Sequence, residues 1–226
     1  LWYVEPLYDN ARFQSRRIVE AVGLDGEEWE RRERELDVMN VTRFGLSPKR
    51  FPTSCVQAYR LLAPVPDPLV EARIWSAASA VFAQSAPLAP DARSAVEMLR
   101  SVGRLALLTK GDETVQQQRL AQSGLAAYFD AVRVVEDKDE NAFQAVLANF
   151  SCRPDRAWSV GNSLKSDIMP ALALGMRAIW IDAHVWEYER SSRDVRASLE
   201  YLRADSLLAA AKAISENILS ATGRSL

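Results

Sequence analysis

From Pro87 onward the sequence switches repeatedly between two hydrophobic periods. Nothing else in its 226 residues restricts the fold as much. Four short β-rich runs, "RLALLTK" (104–110), "AVRVVED" (131–137), "AWSVGN" (157–162) and "RAIWID" (177–182), each follow a stretch with helical spacing. Those stretches are "DARSAVEMLRSVG", "DETVQQQRLAQSG", "ENAFQAVLANF" and "DIMPALALG". Strands that alternate with helices predict an α/β fold, a parallel sheet whose crossovers are helical. The tail "RASLEYLRADSLLAAAKAISENIL" is expected to close the chain as helices.

Before Pro87 no run reads as a strand. "ARFQSRRIVEAV" (11–22), "EEWERRERELDVMNV" (27–41), "TSCVQAYRLLA" (53–63) and "PLVEARIWSAASAVFAQ" (68–84) carry apolar residues at helical spacing. The breaks between them, "GLDG", "FGLSPKRFP" and "PVPDP", hold the residues that end helices. The expected organisation is a four-helix unit at 11–86, inserted into a core made of 1–10 and 87–226. The mixed-charge run "EEWERRERELD" predicts a solvated helix face with i,i+4 pairs.

Composition then excludes several classes of partner. A net charge of −2 gives no basic field for a nucleic-acid backbone. No apolar run has the length of a membrane span. Two distant cysteines, Cys55 and Cys152, make neither a disulfide framework nor a metal pair, so a cytoplasmic protein with reduced thiols is expected.

Ligands of open α/β sheets bind at the carboxyl ends of the strands. The residues there are Thr109-Lys110-Gly111-Asp112, Asp137-Lys138-Asp139, Gly161-Asn162-Ser163 and Asp182. A hydroxyl at Thr109, followed by Gly111 and a helix start, suits an anion, although a plain turn capped by Asp112 uses the same residues. Lys138 can neutralise a phosphoryl group as a point charge, or simply be solvated in an acidic loop. Asn162 and Asp167 offer hard oxygens of the kind Mg²⁺ takes beside waters and substrate phosphate, or else an ordinary capped helix. The plain account of each must hold at three successive strand ends at once. The joint pattern favours a site.

That joint pattern resembles the haloacid dehalogenase-like hydrolase superfamily. "LALLTKGD" looks like its second motif, with Thr109; "VVEDKDENAF" looks like its third, with Lys138; "WSVGNSLKSDIMPALALGM" is similar to its fourth, with Asp167. The resemblance implies a Rossmann-like parallel core with an inserted four-helix cap. It also implies a Mg²⁺-dependent phosphatase acting on a small phosphorylated metabolite through a phospho-aspartyl intermediate. Thr109, Lys110, Gly111 and Lys138 would then bind phosphate, and Asp167 with Asn162 would hold the metal.

Two departures accompany the resemblance. The family's first motif, Asp-x-Asp-x-Thr, carries the nucleophile, and "LWYVEPLYDNA" looks like the sequence that follows it. The nucleophile is therefore expected upstream of Leu1, and residues 1–226 alone are expected to be inactive. Two half-sheets with exposed edges are expected without that strand. Asn162 also stands where an Asp is usual, which brings in two alternatives, a non-catalytic binding protein and a metal-free 2-haloacid dehalogenase. The dehalogenase pattern departs at Leu164 and at Thr109-Lys110. His184 and the basic loop at 44–54, with Lys49 and Arg50, complete the candidates.

Overall fold

The structure, a computed structural model, describes residues 1–183, 186 and 200–222. The chain forms two compact units, one of Tyr3–Ala86 and one of Leu1–Trp2 with Pro87–Leu226.

The first unit is helical: α1 (Glu5–Glu20), α2 (Gly26–Met39), the single turn α3 (Val41–Phe44), α4 (Arg50–Leu62) and α5 (Pro68–Ala83). The sequence pattern places the first helix at 11–22. Helix α1 begins six residues earlier with Pro6 in its first turn, where a missing N–H costs nothing, so 5–10 run in the same helix as 11–20. The breaks hold the caps. Asp25 accepts from the Glu27 and Glu28 amides at 2.8 and 3.1 Å, and Asp67 from the Leu69 amide at 2.8 Å. Val19, Trp29, Phe51, Cys55, Ala58, Ile74 and Val81 fill the core. The solvated face of α2 is laced as its sequence predicts, Arg31 to Glu35 at 2.6 Å and Arg34 to Glu30 at 2.7 Å.

Charges also lie inside this unit. Arg12 meets Glu33 at 2.7 Å, and Arg50 meets Asp37 at 2.9 Å. Oε1 of the fully buried Glu33 has no hydrogen-bond partner among the described residues. Burial outweighs the pull of Arg12 and pushes the Glu33 carboxyl up to about 7. Arg50, a candidate for meeting an anionic substrate, is instead buried on Asp37, and only Lys49 of that pair is exposed. One residue decides the difference, because Arg50 opens α4 facing inward.

The second unit carries the strands. Its order is α6 (Ala92–Val102), β1 (Ala106–Lys110), α7 (Glu113–Ser123), β2 (Ala131–Val135), α8 (Glu140–Asn149), β3 (Trp158–Gly161), a π-helical turn (Leu164–Ile168), α9 (Met169–Ala173), β4 (Arg177–Ile181), β5 (Leu202–Ala204) and α10 (Leu207–Thr222). The four expected strands are present, all pairings between strands are parallel, and the fold is α/β. The tail departs from expectation. Its first part adds strand β5 parallel to β4, with Ile179 opposite Leu202, before the helix α10. Three residues are too few for a period to register; the β4 edge supplies what the pattern lacks.

The strands form two sheets. β1 pairs with β2 from Ala106 opposite Ala131 to Lys110 opposite Val135, while β3, β4 and β5 form the other. No pairing joins β1 to β3 among the described residues. Ile179, Ala210 and Ile214 pack between the second sheet and α10, and Ala92, Val96 and Leu125 pack near α6.

Candidate active site

The polar residues collect at the carboxyl ends of β1, β2 and β3, each put there by its strand's length. β1 ends at Lys110, and Gly111 then turns the chain with φ +134°, a region costly for any side chain. A Cβ at Gly111 would also sit 2.8 Å from Gln116 Nε2. The turn hands over to α7, whose first amides are capped by Asp112, which accepts from Val115 at 3.1 Å. The Thr109 hydroxyl donates to Gln116 Oε1 at 3.3 Å, and Gln116 Nε2 donates to the Lys110 carbonyl at 3.0 Å. Gln116 thus fixes both the hydroxyl and the turn. Sequence reading passed over it in the polar run Gln116-Gln117-Gln118; its burial is the distinguishing sign.

β2 delivers Lys138, and β3 delivers Asp167. Lys138 Nζ donates to Asp167 Oδ1 at 2.6 Å, with side chains only 17% and 10% exposed. Oδ2 of Asp167 accepts from the Ser163 amide at 3.0 Å. The π-helical turn makes this possible: the Met169 amide reaches back five residues to the Leu164 carbonyl, widening the helix start. Ser163 caps the turn, accepting from the Ser166 amide at 3.0 Å. The returning carboxylate fills the space a side chain would take at Gly161, where a Cβ would lie 2.2 Å from Asp167 Oδ2.

Of the expected site residues, Lys138 and Asp167 are in direct contact. Thr109 is turned to Gln116, and Lys110 reaches Ser166 at 2.8 Å. The Asn162 carbonyl accepts from the Trp180 indole at 2.9 Å. Asp182 pairs with Arg203 at 3.2 Å. His184 lies outside the described residues.

Asp167, the expected metal carboxylate, has both oxygens bonded within the protein. No three of His, Cys, Asp and Glu converge among the described residues. By themselves these residues do not fit Mg²⁺, which takes one or two available carboxylates besides phosphate and water. What the arrangement offers is a hydroxyl held on Gln116 and an ammonium balanced by Asp167, at the ends of two paired strands.

Residues 5–175 match the haloacid dehalogenase-like hydrolase family. A phosphoserine phosphatase of Thermus thermophilus is 33% identical over 102 residues, covering 42% of this chain and 41% of that protein. A glyceraldehyde 3-phosphate phosphatase of Methanothermobacter thermautotrophicus is 31% identical over 107 residues, 45% of this chain and 47% of that protein. These matches span less than half the length of the curated relatives. The crystal structure of a haloacid dehalogenase-like family hydrolase from Xanthomonas campestris, 26% identical, covers 100% of this chain and 94% of its own with a TM-score of 0.79. A 2-haloacid dehalogenase of Pseudomonas syringae shares the fold at 17% identity and a TM-score of 0.61, over 96% of this chain and 94% of its own. With its three strand-end motifs in order on a Rossmann-like core, the chain belongs to the haloacid dehalogenase-like hydrolases.

Proposed function

We propose that the chain is the body of a phosphatase for a small phosphorylated metabolite. The observation that carries the reading is the pairing of a shielded Lys138 ammonium with Asp167, one strand end away from Thr109. Lys138 balances charge on the phosphoryl oxygens and on the attacking carboxylate; Thr109 donates to a phosphoryl oxygen once its hydroxyl leaves Gln116. The carboxylate forms a bond to phosphorus as the bond from phosphorus to the ester oxygen breaks; the second aspartate of the same upstream motif gives that oxygen its proton and then takes one from the water that hydrolyses the acyl phosphate. This reading puts the nucleophile outside residues 1–226, on a strand ahead of Leu1. In its favour, no pairing joins β1 to β3 among the described residues. Mg²⁺ belongs to the full proposal as a charge screen at the phosphoryl group, although Asp167 and Asn162 do not by themselves form its site. The two thiols, Cys55 and Cys152, are free, in keeping with the cytoplasmic setting proposed.

The test is the coding sequence ahead of Leu1, followed by assay of the full-length product. Asp-x-Asp-x-Thr and phosphate release from an aryl phosphate are expected, with no release from residues 1–226 alone. A different sequence at that place overturns the reading. One observation favours a second reading, metal-free displacement of halide from a 2-haloacid: the Asp167 carboxylate is already committed to Lys138 and Ser163. Halide release in EDTA, without phosphate release, would select it. Binding of inorganic phosphate without turnover would select a non-catalytic role.

A further inference from the structure

A second lysine brackets the Lys138–Asp167 pair from both sides. Lys110 closes β1, and its ammonium donates to Ser166 Oγ at 2.8 Å and, more loosely, to Asp137 Oδ1 at 3.4 Å. Ser166 directly precedes Asp167, and Asp137 directly precedes Lys138. The same Asp137 oxygen accepts from the Lys138 amide at 2.9 Å. One ammonium on a third strand end therefore holds both segments that carry the pair. The Lys110 side chain is 12% exposed, so water makes good little of its bond to Ser166, while Asp137 is 69% exposed and its bond is the weaker of the two. The segment it holds is a single π-helical turn, a form that is found mostly as isolated turns and often at functional sites.

We propose that Lys110 is a positioning residue. It locks the π-helical turn to the β2–α8 loop so that Lys138 and Asp167 stay docked, and it does not itself hold the substrate phosphate. The geometric part stands on the bonds above; the kinetic part rests on the phosphatase reading. Lysine suits the task, since three donors on a flexible stem can reach two acceptors on different segments.

The test uses the full-length protein with Lys110→Met, Ser166→Ala, the double variant and Lys110→Arg. Misplacing a charge by about an ångström costs a rate factor on the order of 10 to 100. Each single variant is therefore expected to lower kcat by about 10-fold or more while KM stays within about two-fold. The double variant should be no worse than Lys110→Met, and Lys110→Arg should recover most of the rate. Hydrogen exchange at the Ser166 and Asp167 amides should speed up in Lys110→Met, while exchange in α10 stays unchanged. A raised KM with unaltered kcat, or losses that simply add, would assign Lys110 to the substrate and overturn the proposal. If the wild-type protein releases no phosphate, the phosphatase reading fails, and exchange alone decides. Unchanged exchange at 166 and 167 then overturns the positioning role.

Discussion

Gly161→Ala is the most searching perturbation of this site, because the obstacle is known atom by atom. The new Cβ would lie 2.2, 2.3 and 2.5 Å from Oδ2, Cγ and Cβ of Asp167, so the residue that must move is Asp167 itself. If it retreats, Oδ2 leaves the Ser163 amide and Oδ1 leaves the Lys138 ammonium. Overpacking a filled space costs about 1–3 kcal/mol, and a hydrogen bond to a charged group is worth about 1.5–3 kcal/mol. Partial access of water to Lys138 returns some of this, which leaves a destabilisation of about 3–5 kcal/mol. With a slope of roughly 1–3 kcal/mol per molar urea, the unfolding midpoint should fall by at least about 1 M. Hydrogen exchange at the Ser163 amide reports the same event locally, since its acceptor is the displaced oxygen. Gly103→Ala is the control: its backbone is extended, with φ −172°, and a Cβ there meets nothing within 4 Å. A Gly161→Ala midpoint matching that control would refute the cradle.

Lys138→Met strands the Asp167 carboxylate, which is 7% exposed, and should cost about 2–4 kcal/mol in thermal unfolding while abolishing binding of inorganic phosphate by calorimetry. Glu33 makes the helical unit sensitive to pH. Its carboxyl is raised from 4.5 to about 7 in the fold, so its contribution is full below pH 4.5 and is lost as pH rises through 7. That amounts to about 3 kcal/mol, and Glu33→Gln should flatten the dependence; parallel pH profiles for the two proteins would count against the assignment. Asp112→Ala removes the side-chain cap of α7 and should lower stability by about 1 kcal/mol in urea titrations, with the Val115 amide exchanging faster.

Much of the site was legible in the residue string because the strand ends are local events. The run from Leu105 to Lys110 has to stop at Gly111, whose positive φ no strand residue adopts readily, so Thr109 and Lys110 fall at a rim. Lys138 lies three residues past the end of β2, in a polar acidic run that breaks the apolar strand, and Asn162 directly follows Gly161 at the end of β3. The caps of α2, α5 and α7 follow from Asp25, Asp67 and Asp112 in the same way. Not legible was anything that depends on two segments meeting. Nothing in the local pattern separates Ser166 from the other polar residues around it, or Gln116 from Gln117 and Gln118; their burial and their partners do. Arg50 looked like a surface cation until α4 turned it onto Asp37.

The sequence by itself determined the periods, the breaks between them and the order of the chemical groups, since backbone preference and side-chain spacing act over a few residues. Only the tertiary structure decided what those groups do to one another. It brought Asp167 back against Gly161, docked Lys138 on it, tied Lys110 to Ser166, and drew Leu202–Ala204 into a strand beside β4. Those contacts join residues far apart in the chain, and their energies arise from exclusion of water and close approach, which exist only once the segments have packed.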